Sequence, residues 1–447
     1  MRPRHLTLAA ACLAAATTGH ATDLLEAFQR AQATDPTLQA AYEGQAAGRE
    51  KIAQGRALFR PQVALAAGVT QVDDRGSSGL PPQLAALNSG DGSGRTHQVA
   101  LQLQQPLVNA RSRAEESQLE QQAELAEIQL HEQQQQLVQR VGEAYFGLLL
   151  AQDQLRVVQA EAAAVTLQRE RAQARFELGR GKLTEVQEAQ ARLDTVKSRE
   201  VAARNTLAQR EARYQSLTGL PPQGLAPLAP GFAPAATMPD DLQAWQALGS
   251  SRHTRVLAKQ TELRIAEAEI GKYTLAARPT LDAVASYTVK GQSGGLSPAF
   301  APDSSRVATI GLQLSVPLYT GGGLNAKERE ARARLRQSQQ ELSATQRDVQ
   351  LQVQDAYLAV NNGVARIGAL EQSVRSAGTA LDATTLGRDL GNRTELDVLD
   401  AQQRLYTSQL DLAQARSDYL LGRLRLAQAA GTLDDSELRT LNSYLAR

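Results

Sequence analysis

The chain has 447 residues, a net charge of +1 and only 4% aromatic residues, with a single Trp and six Phe. So few aromatic residues are a small supply for large globular cores, and the nearly neutral charge provides no basic field of the kind that attracts nucleic acid. The abundance of Ala, Gln, Leu, Arg and Glu is instead typical of long helices with much of their surface in water.

The first 21 residues have the order of a secretory signal peptide. Basic residues between Met1 and His5 precede an apolar run from Leu6 to Ala16, and the small residues of Gly19-His20-Ala21 predict cleavage after Ala21. Cleavage removes two Arg and the only cysteine, Cys12, so the mature chain has a net charge of −1 and works outside the cytoplasm without disulfides. The alternative is a lipoprotein that starts at Cys12, but the preceding Ala residues lack the usual Leu.

The remaining chain reads as two copies of one unit. Three matching pairs are separated by a constant offset of 212 residues: Tyr145 and Tyr357, Gly179 and Gly391, and Gly219 and Gly431. We therefore predict a first repeat at 22–219, a Pro-rich linker at 220–239, a second repeat at 240–431 and a C-terminal tail at 432–447.

Each repeat is predicted to open with a helix, at 24–58 or 240–276, because these stretches are Ala-rich and contain one turn signal, Asp35-Pro36. Alternating segments follow and predict β-hairpins at 62–105 and 280–316, with one apolar and one small or polar face on each strand. The apolar positions are Val63, Leu65, Ala67 and Val69, then Val99, Leu101 and Leu103, then Leu281, Ala283, Ala285 and Tyr287, and finally Ile310, Leu312, Leu314 and Val316.

These strands are about ten residues long, which is enough to span a bilayer when they are tilted. No stretch of 18 apolar residues follows the signal, so a membrane crossing by this chain requires β-strands. The loops at 73–95 and 290–306 are rich in Gly, Ser and Pro. The alternative is a small soluble β-sandwich, although four strands provide few partners for one.

Helical periodicity begins after each hairpin and predicts long helices at 107–178 and 318–390, with return helices at 184–218 and 395–430. Small and β-branched residues step by four and three along both long helices, as in a coiled-coil seam that permits close packing. A helix over 107–177 is about 106 Å long, and its return partner is about 52 Å long. Each long helix is therefore predicted to pack against two shorter helices placed end to end.

The turn between long and return helix has similar sequences in the two repeats, GRGKLTEVQEAQ at 179–190 and GNRTELDVLDAQ at 391–402. Thr394 with Asp397, and Thr184 with Gln187, have the spacing of a capping box. Capping by itself explains a carboxylate at position 397. It does not explain Asp400, which lies one turn deeper on the same face.

The signal peptide, the duplicated unit, Arg-Pro before the first strand of each hairpin, and LGNRTELDVLDAQ together resemble the TolC family of outer-membrane channel proteins. The resemblance covers essentially the whole mature chain. It implies a mainly α fold with a membrane β-barrel portion: a homotrimer in which each chain gives four strands to one shared 12-stranded barrel, continued by an α-helical tunnel into the periplasm. Four strands cannot close a barrel alone, although two chains also reach the minimum of eight.

The resemblance also implies the function and the partners. The protein is expected in the outer membrane, as the exit duct of a tripartite efflux pump or a type I secretion system. Its tunnel would dock on a periplasmic adaptor and an inner-membrane transporter. The sequence leaves open whether drugs or proteins pass through. The alternative from another class is a secreted periplasmic coiled-coil structural or adaptor protein, which predicts the signal and the heptads but not the four amphipathic strands.

The same resemblance assigns roles at the turns. Asp397 and Asp400 match aspartates that line the tunnel mouth and select cations. Arg393 matches an arginine that holds the mouth closed.

Thr184 and Glu185 match the partners of that arginine, with Glu in place of Asp. Arg388 occupies a position where the family often has Tyr, so its acceptor is open. Glu188 aligns with Asp400. It either adds a carboxylate to the mouth, where neighbouring like charges would bind cations strongly, or lies on a solvated outer face.

No arrangement of residues predicts an enzyme, a metal site or a cofactor. The mature chain has no cysteine and retains His97, His131 and His253, which are far apart in sequence. The Gly run at 321–323 follows a strand but lacks the Lys-Ser/Thr of a phosphate-binding loop.

Overall fold

The computed structural model of the chain describes residues 21–75, 91–293 and 304–446. The predicted signal peptide, apart from Ala21, and the central parts of both hairpin loops lie outside the described residues. Among the helices that are described, none has both the length and the apolarity needed to cross a membrane.

The described residues form nine helices and four strands. The helices are α1 (Leu24–Thr34), α2 (Pro36–Ala57), α3 (Ala110–Glu177), α4 (Leu183–Thr218), α5 (Leu242–Arg252), α6 (Thr254–Thr274), α7 (Gly323–Asp389), α8 (Glu395–Ala429) and α9 (Asp435–Asn442). The strands are β1 (Gln62–Arg75), β2 (Asp91–Val108), β3 (Thr280–Ser293) and β4 (Ser304–Ser315).

The predicted opening helices are each divided in two. The first breaks at Asp35, because the following Pro36 has no N–H and disfavours a helical conformation before it. The second breaks at His253, whose Nδ1 accepts the backbone N–H of Arg255 at 3.1 Å at the start of α6. Burial lowers the pKa of His253 to about 4, so the ring is neutral and able to accept this bond.

Both long helices begin later than predicted. β2 continues through Pro106 to Val108, and α3 then starts with the Asn109 side chain accepting the backbone N–H of Ser112 at 3.1 Å. Before α7, Gly321 and Gly322 have φ values of 62° and 78°, which a side chain would disfavour. Helix α7 therefore starts at Gly323.

The chain divides into two compact units. The first comprises the described residues within 21–41, 131–256 and 346–446, and the second comprises those within 42–130 and 257–345.

The second unit contains one antiparallel sheet with the strand order β1-β2-β3-β4. Its register places the predicted apolar residues on one face, where the row of Val63, Leu103, Ala285 and Ile310 crosses all four strands. The opposite face has rows such as Ala64, Gln102, Ser286 and Thr309. The strands are 12 to 18 residues long, which is longer than predicted, because pairing continues toward the loops.

The helices of the first unit bury the predicted seam. Its fully or almost fully buried members include Leu137, Val141, Ala144, Leu148, Val158 and Val165 on α3, and Val349, Val353, Val360 and Ile367 on α7. Two buried tyrosines attach the Pro-rich linker to these helices. The Tyr145 hydroxyl donates to the Ala226 carbonyl at 2.9 Å, and the Tyr419 hydroxyl donates to the Ala235 carbonyl at 2.7 Å.

Candidate functional site at the helix turns

Both predicted turns form around a glycine in the left-handed region. Gly179, between α3 and α4, has φ 70°, and Gly391, between α7 and α8, has φ 79°. After each glycine the next N–H reaches back to the end of the long helix: Arg180 N–H donates to Arg175 at 2.8 Å, and Asn392 N–H donates to Gly387 at 2.8 Å. The repeated glycine therefore satisfies the last carbonyls of a long helix while the chain reverses.

The second turn contains the predicted capping box. The Asp397 N–H donates to the Thr394 hydroxyl oxygen at 3.1 Å, and the Thr394 N–H donates to Asp397 Oδ2 at 2.8 Å. These bonds from the Thr394 backbone and hydroxyl hold the pKa of Asp397 below its usual value. The carboxylate is therefore charged at neutral pH, and its contribution to the cap is lost only as the pH falls through this lowered pKa.

The predicted capping box of the first turn does not form. Helix α4 already starts at Leu183, and its N-cap is Lys182, whose side chain makes no capping bond. Thr184 consequently lies inside the first helical turn, two positions too late to cap it. The prediction was wrong because the Lys182 carbonyl accepts the Glu185 N–H at 3.1 Å and so moves the helix start.

Arg388 finds its acceptors inside its own chain. Only 8% of the residue is exposed, and its guanidinium bonds Gln168 Oε1 at 3.2 Å and Glu395 Oε1 at 3.4 Å. A third acceptor, Asp389 Oδ1, lies 2.7 Å from Nη2. Arg388 thus joins α3 of the first repeat to both helices of the second.

Glu395 is the central acid of this group, and the sequence did not indicate it. It is 4% exposed and also pairs with Arg175 Nη1 at 3.6 Å. Its position directly after the capping Thr394 resembles an ordinary first-turn acid that complements the helix dipole. Only packing against α3 shows that this acid is buried between two arginines.

Asp400 also pairs across the repeats. Arg192 of α4 lies 3.5 Å from Asp400 Oδ1 and also donates to the side chain of Gln403. The Asp400 side chain is about half exposed, at 48%, so this pair is screened by water. Arg192 therefore reduces the net charge beside Asp400, an effect that the sequence did not predict.

The other predicted residues remain accessible. Arg393, Thr184 and Glu188 are exposed, and Glu185 is half-buried. Within the described chain, none of Arg393, Glu185 and Glu188 makes an ion pair. Arg393 nevertheless helps to lower the pKa of Asp397, after the larger effect of the Thr394 hydrogen bonds.

A small apolar cluster fixes the helices next to the turns. Leu399 of α8 packs with Val158 and Val165 of α3 and with Leu193 and Val196 of α4. One helix of the second repeat is therefore held against both helices of the first. This packing fixes the relative positions of α3, α4 and α8, which carry the partners of Arg388 and Asp400.

Comparison with known proteins identifies relatives along almost the whole chain. A family model described as outer membrane efflux protein matches residues 27–220 and 246–432. The outer membrane protein TolC of Vibrio cholerae is 33% identical over 428 residues, which cover 95% of this chain and 94% of that protein. The alkaline protease secretion protein AprF of Pseudomonas aeruginosa is 32% identical over 427 residues, covering 93% and 85% of the two chains.

The fold also matches solved structures. The crystal structure of the outer membrane protein VceC from Vibrio cholerae superposes with a TM-score of 0.74, covering 91% of this chain and 96% of that one. At 22% identity, this likeness concerns the fold alone.

Proposed function

This chain belongs to the outer membrane efflux protein family, and from that premise we propose that it forms the outer-membrane exit duct of an export system. The sheet provides the main support for this proposal. One face is a continuous apolar surface with Leu65 71% and Ile310 90% exposed, and β1 and β4 pair with no further strand among the described residues. Water disfavours such a surface, whereas lipid accommodates it.

We further propose that three copies share one barrel of 12 strands. The free edges of β1 and β4 are long, and unpaired backbone groups in lipid cost several kcal/mol each. Pairing β4 of one copy with β1 of the next satisfies both edges. The duct has no enzymatic chemistry of its own in this proposal.

Membrane fractionation tests the proposal. We expect the protein in the outer-membrane fraction, migrating on SDS gels as an assembly that dissociates only on heating. The rival class, a periplasmic coiled-coil structural or adaptor protein, predicts recovery as a water-soluble rod, and that result would overturn the exit-duct proposal.

The partners proposed for the duct are a periplasmic adaptor and an inner-membrane transporter. Among the relatives, AprF is named for alkaline protease secretion and BepC of Brucella suis is named an efflux protein. Both export modes are therefore candidates for this chain. Cross-linking in cells followed by identification of the captured proteins distinguishes a secretion transporter from an efflux pump.

At the turns, we propose that Asp397 and Asp400 attract cations to the mouth of the tunnel. The double variant Asp397→Asn with Asp400→Asn is expected to raise the concentration of a trivalent cation that half-blocks the channel current by at least about tenfold, because each lost charge removes about 1 kcal/mol of attraction even in water. Planar-bilayer recordings measure the block.

The Asn substitutions separate charge from capping. An Asn amide oxygen still accepts the Thr394 N–H, so the helix start is preserved while the charge is lost. Asp411→Asn, an exposed acid on the same helix, is the control and should leave the block unchanged. Unaltered block in the double variant would remove the selectivity role.

Arg393 is proposed to hold the mouth closed through a neighbouring copy, in which Thr184 and Glu185 are its acceptors. The Arg393 side chain is exposed and makes no ion pair in the described chain, so it is free to bond a neighbouring copy. Arg393→Ser removes that bond and should therefore raise single-channel conductance. Arg180→Ser, at the matching turn of the first repeat, is the control. Conductance equal to wild type would show that Arg393 restrains nothing.

A further inference from the structure

One end of the sheet is bordered by positive charge. We call this end the sheet foot; it contains the start of β1, the end of β2, the start of β3 and the end of β4. These termini lie together because Gln62 pairs with Gln104, Val108 lies opposite Leu281, and Thr280 lies opposite Ser315.

The chain segments at the sheet foot are rich in cations, and acidic residues flank them at Glu115, Glu116, Glu269, Asp282 and Glu328. Residues 55–63, 105–114, 271–281 and 315–327 contain seven basic and no acidic residues. The basic residues are Arg56, Arg60, Arg111, Arg113, Lys272, Arg278 and Lys327. Each of the four crossings between sheet and helices therefore contains at least one basic residue.

Most of these cations make no ion pair within the described chain. Arg60, Arg111, Arg113, Arg278 and Lys327 are exposed and make no ion pair there. Lys272 is the exception, since it pairs with Glu269 at 3.0 Å.

Acidic residues also lie at or near the foot: Asp282 of β3 accepts from the Gln104 side chain at 3.3 Å, and others come from the helices. The cleft beside Arg60 is lined by Glu120, Glu124 and Glu127 of α3, and Glu124 is already paired with Arg264 at 2.6 Å. Arg278 is exposed and makes no ion pair in the described chain, so it is available to an anion from outside the protein.

The apolar face of the sheet continues directly into this basic border. Val63 is 61% exposed, and Leu318 and Tyr319 are 93% and 88% exposed just after β4. Lys327 lies 5.9 Å from the centre of the Tyr273 ring, so an aromatic residue and a cation are adjacent beside the sheet foot. Exposed apolar, aromatic and basic residues in this order are typical of a membrane–water interface.

We propose that the sheet foot binds the phosphate groups of anionic phospholipids in the leaflet that faces the periplasm, with Arg60 and Arg278 as the main ligands. The proposal rests on the proposed function, because it requires the sheet to span the outer membrane. Arg60-Pro61 and Arg278-Pro279 each place a guanidinium two residues before a strand, where proline fixes the backbone. A guanidinium offers two parallel N–H groups to one phosphate.

A lipid explains the pattern better than a free anion or an acidic protein does. The cations are distributed along the four crossings, and the exposed apolar residues Val63, Leu318 and Tyr319 near them form a surface that acyl chains would cover. When the phosphate of a lipid headgroup binds at the sheet foot, the acyl chains of the same lipid lie on this apolar surface. One lipid therefore accounts for both the basic residues and the exposed apolar residues.

The test uses the intact assembly in a non-ionic detergent, with bound lipid counted by native mass spectrometry. Wild type should bind phosphatidylglycerol more tightly than zwitterionic phosphatidylcholine, and inorganic phosphate should not compete. Arg60→Gln with Arg278→Gln should weaken phosphatidylglycerol binding by about 25-fold, at about fivefold for each cation lost. The matched control is Arg332→Gln with Arg334→Gln, two arginines of α7 already bonded to Glu328 and Glu330, and it should preserve the affinity.

Arg111→Gln with Arg113→Gln removes the same charge from another crossing and replaces the first variant if that variant does not assemble; it should also weaken phosphatidylglycerol binding, by less than the loss of the two main ligands. Unchanged phosphatidylglycerol affinity in a variant that still reaches the outer membrane overturns the lipid site and leaves the exit duct intact. Equal affinity of wild type for both lipids, or competition by inorganic phosphate, also overturns it. Wild type that is soluble without detergent contradicts the exit duct instead.

Discussion

Glu395→Ala should lower the local stability of the helix turns by about 3 kcal/mol, since removal of one partner from a buried ion pair leaves the other charge uncompensated. Glu395 and Arg388 are 4% and 8% exposed, and the variant leaves Arg388 with only Gln168 and Asp389. Amide hydrogen exchange at 386–396 measures the effect, and a change of this size accelerates exchange about 100-fold.

Two variants make this result specific. Glu188→Ala, in the first turns of α4, removes an exposed acid and should leave the exchange rates unchanged. Glu395→Met with Arg388→Met removes both charges and should recover most of the stability, because an apolar pair of similar size carries no desolvation cost. If the amides at 386–396 exchanged at the wild-type rate in Glu395→Ala, the buried pair would not stabilise the turns.

Ile310→Arg should prevent most of the protein from assembling in the outer membrane. Ile310 lies in the middle of β4 on the apolar face and is 90% exposed, so the proposed duct places it against lipid. An arginine at such a position costs about 2 to 4 kcal/mol near the bilayer centre, and each copy in an assembly contributes that cost. The measurement is the yield of heat-dissociable assembly in the outer-membrane fraction.

The neighbouring residue provides the control. Gly311 is on the opposite face, and a Cβ added there would meet nothing within 4 Å. Gly311→Arg therefore adds the same charge to the same strand without contacting lipid, and its yield should stay close to that of wild type. Equal losses in both variants would contradict the assignment of the two faces.

The two aspartates of the second turn have different surroundings, and this changes what each contributes to the mouth. Asp397 is held by the cap and is influenced by Arg393 and Arg404 without a close ion pair, whereas Asp400 lies 3.5 Å from Arg192. Asp397 is therefore expected to contribute more of the cation block than Asp400. Single Asn variants at the two positions would separate these contributions.

Much of the architecture follows from the sequence. The 212-residue repeat, the alternating strands and the helical seam all predict structure from local period, and the register then puts Val63, Leu103 and Ile310 on one face as predicted. The spacing of apolar residues predicts structure because the direction of each side chain depends only on backbone geometry within one helix or strand.

The break at His253 and the absent cap at Thr184 were not predictable in the same way. Each depends on one hydrogen bond that competes with a continuous helix or shifts its first residue. Such bonds differ little in free energy from their alternatives, so sequence pattern alone does not choose between them.

The sequence by itself determined which residues stand at the turns, including Arg388, Arg393, Asp397 and Asp400. Only the tertiary structure decided their partners, because Gln168, Arg175 and Arg192 belong to the first repeat and are more than 200 residues away along the chain. Electrostatic interactions depend on distance in space and on burial, and neither is set until α3, α4 and α8 pack around Leu399.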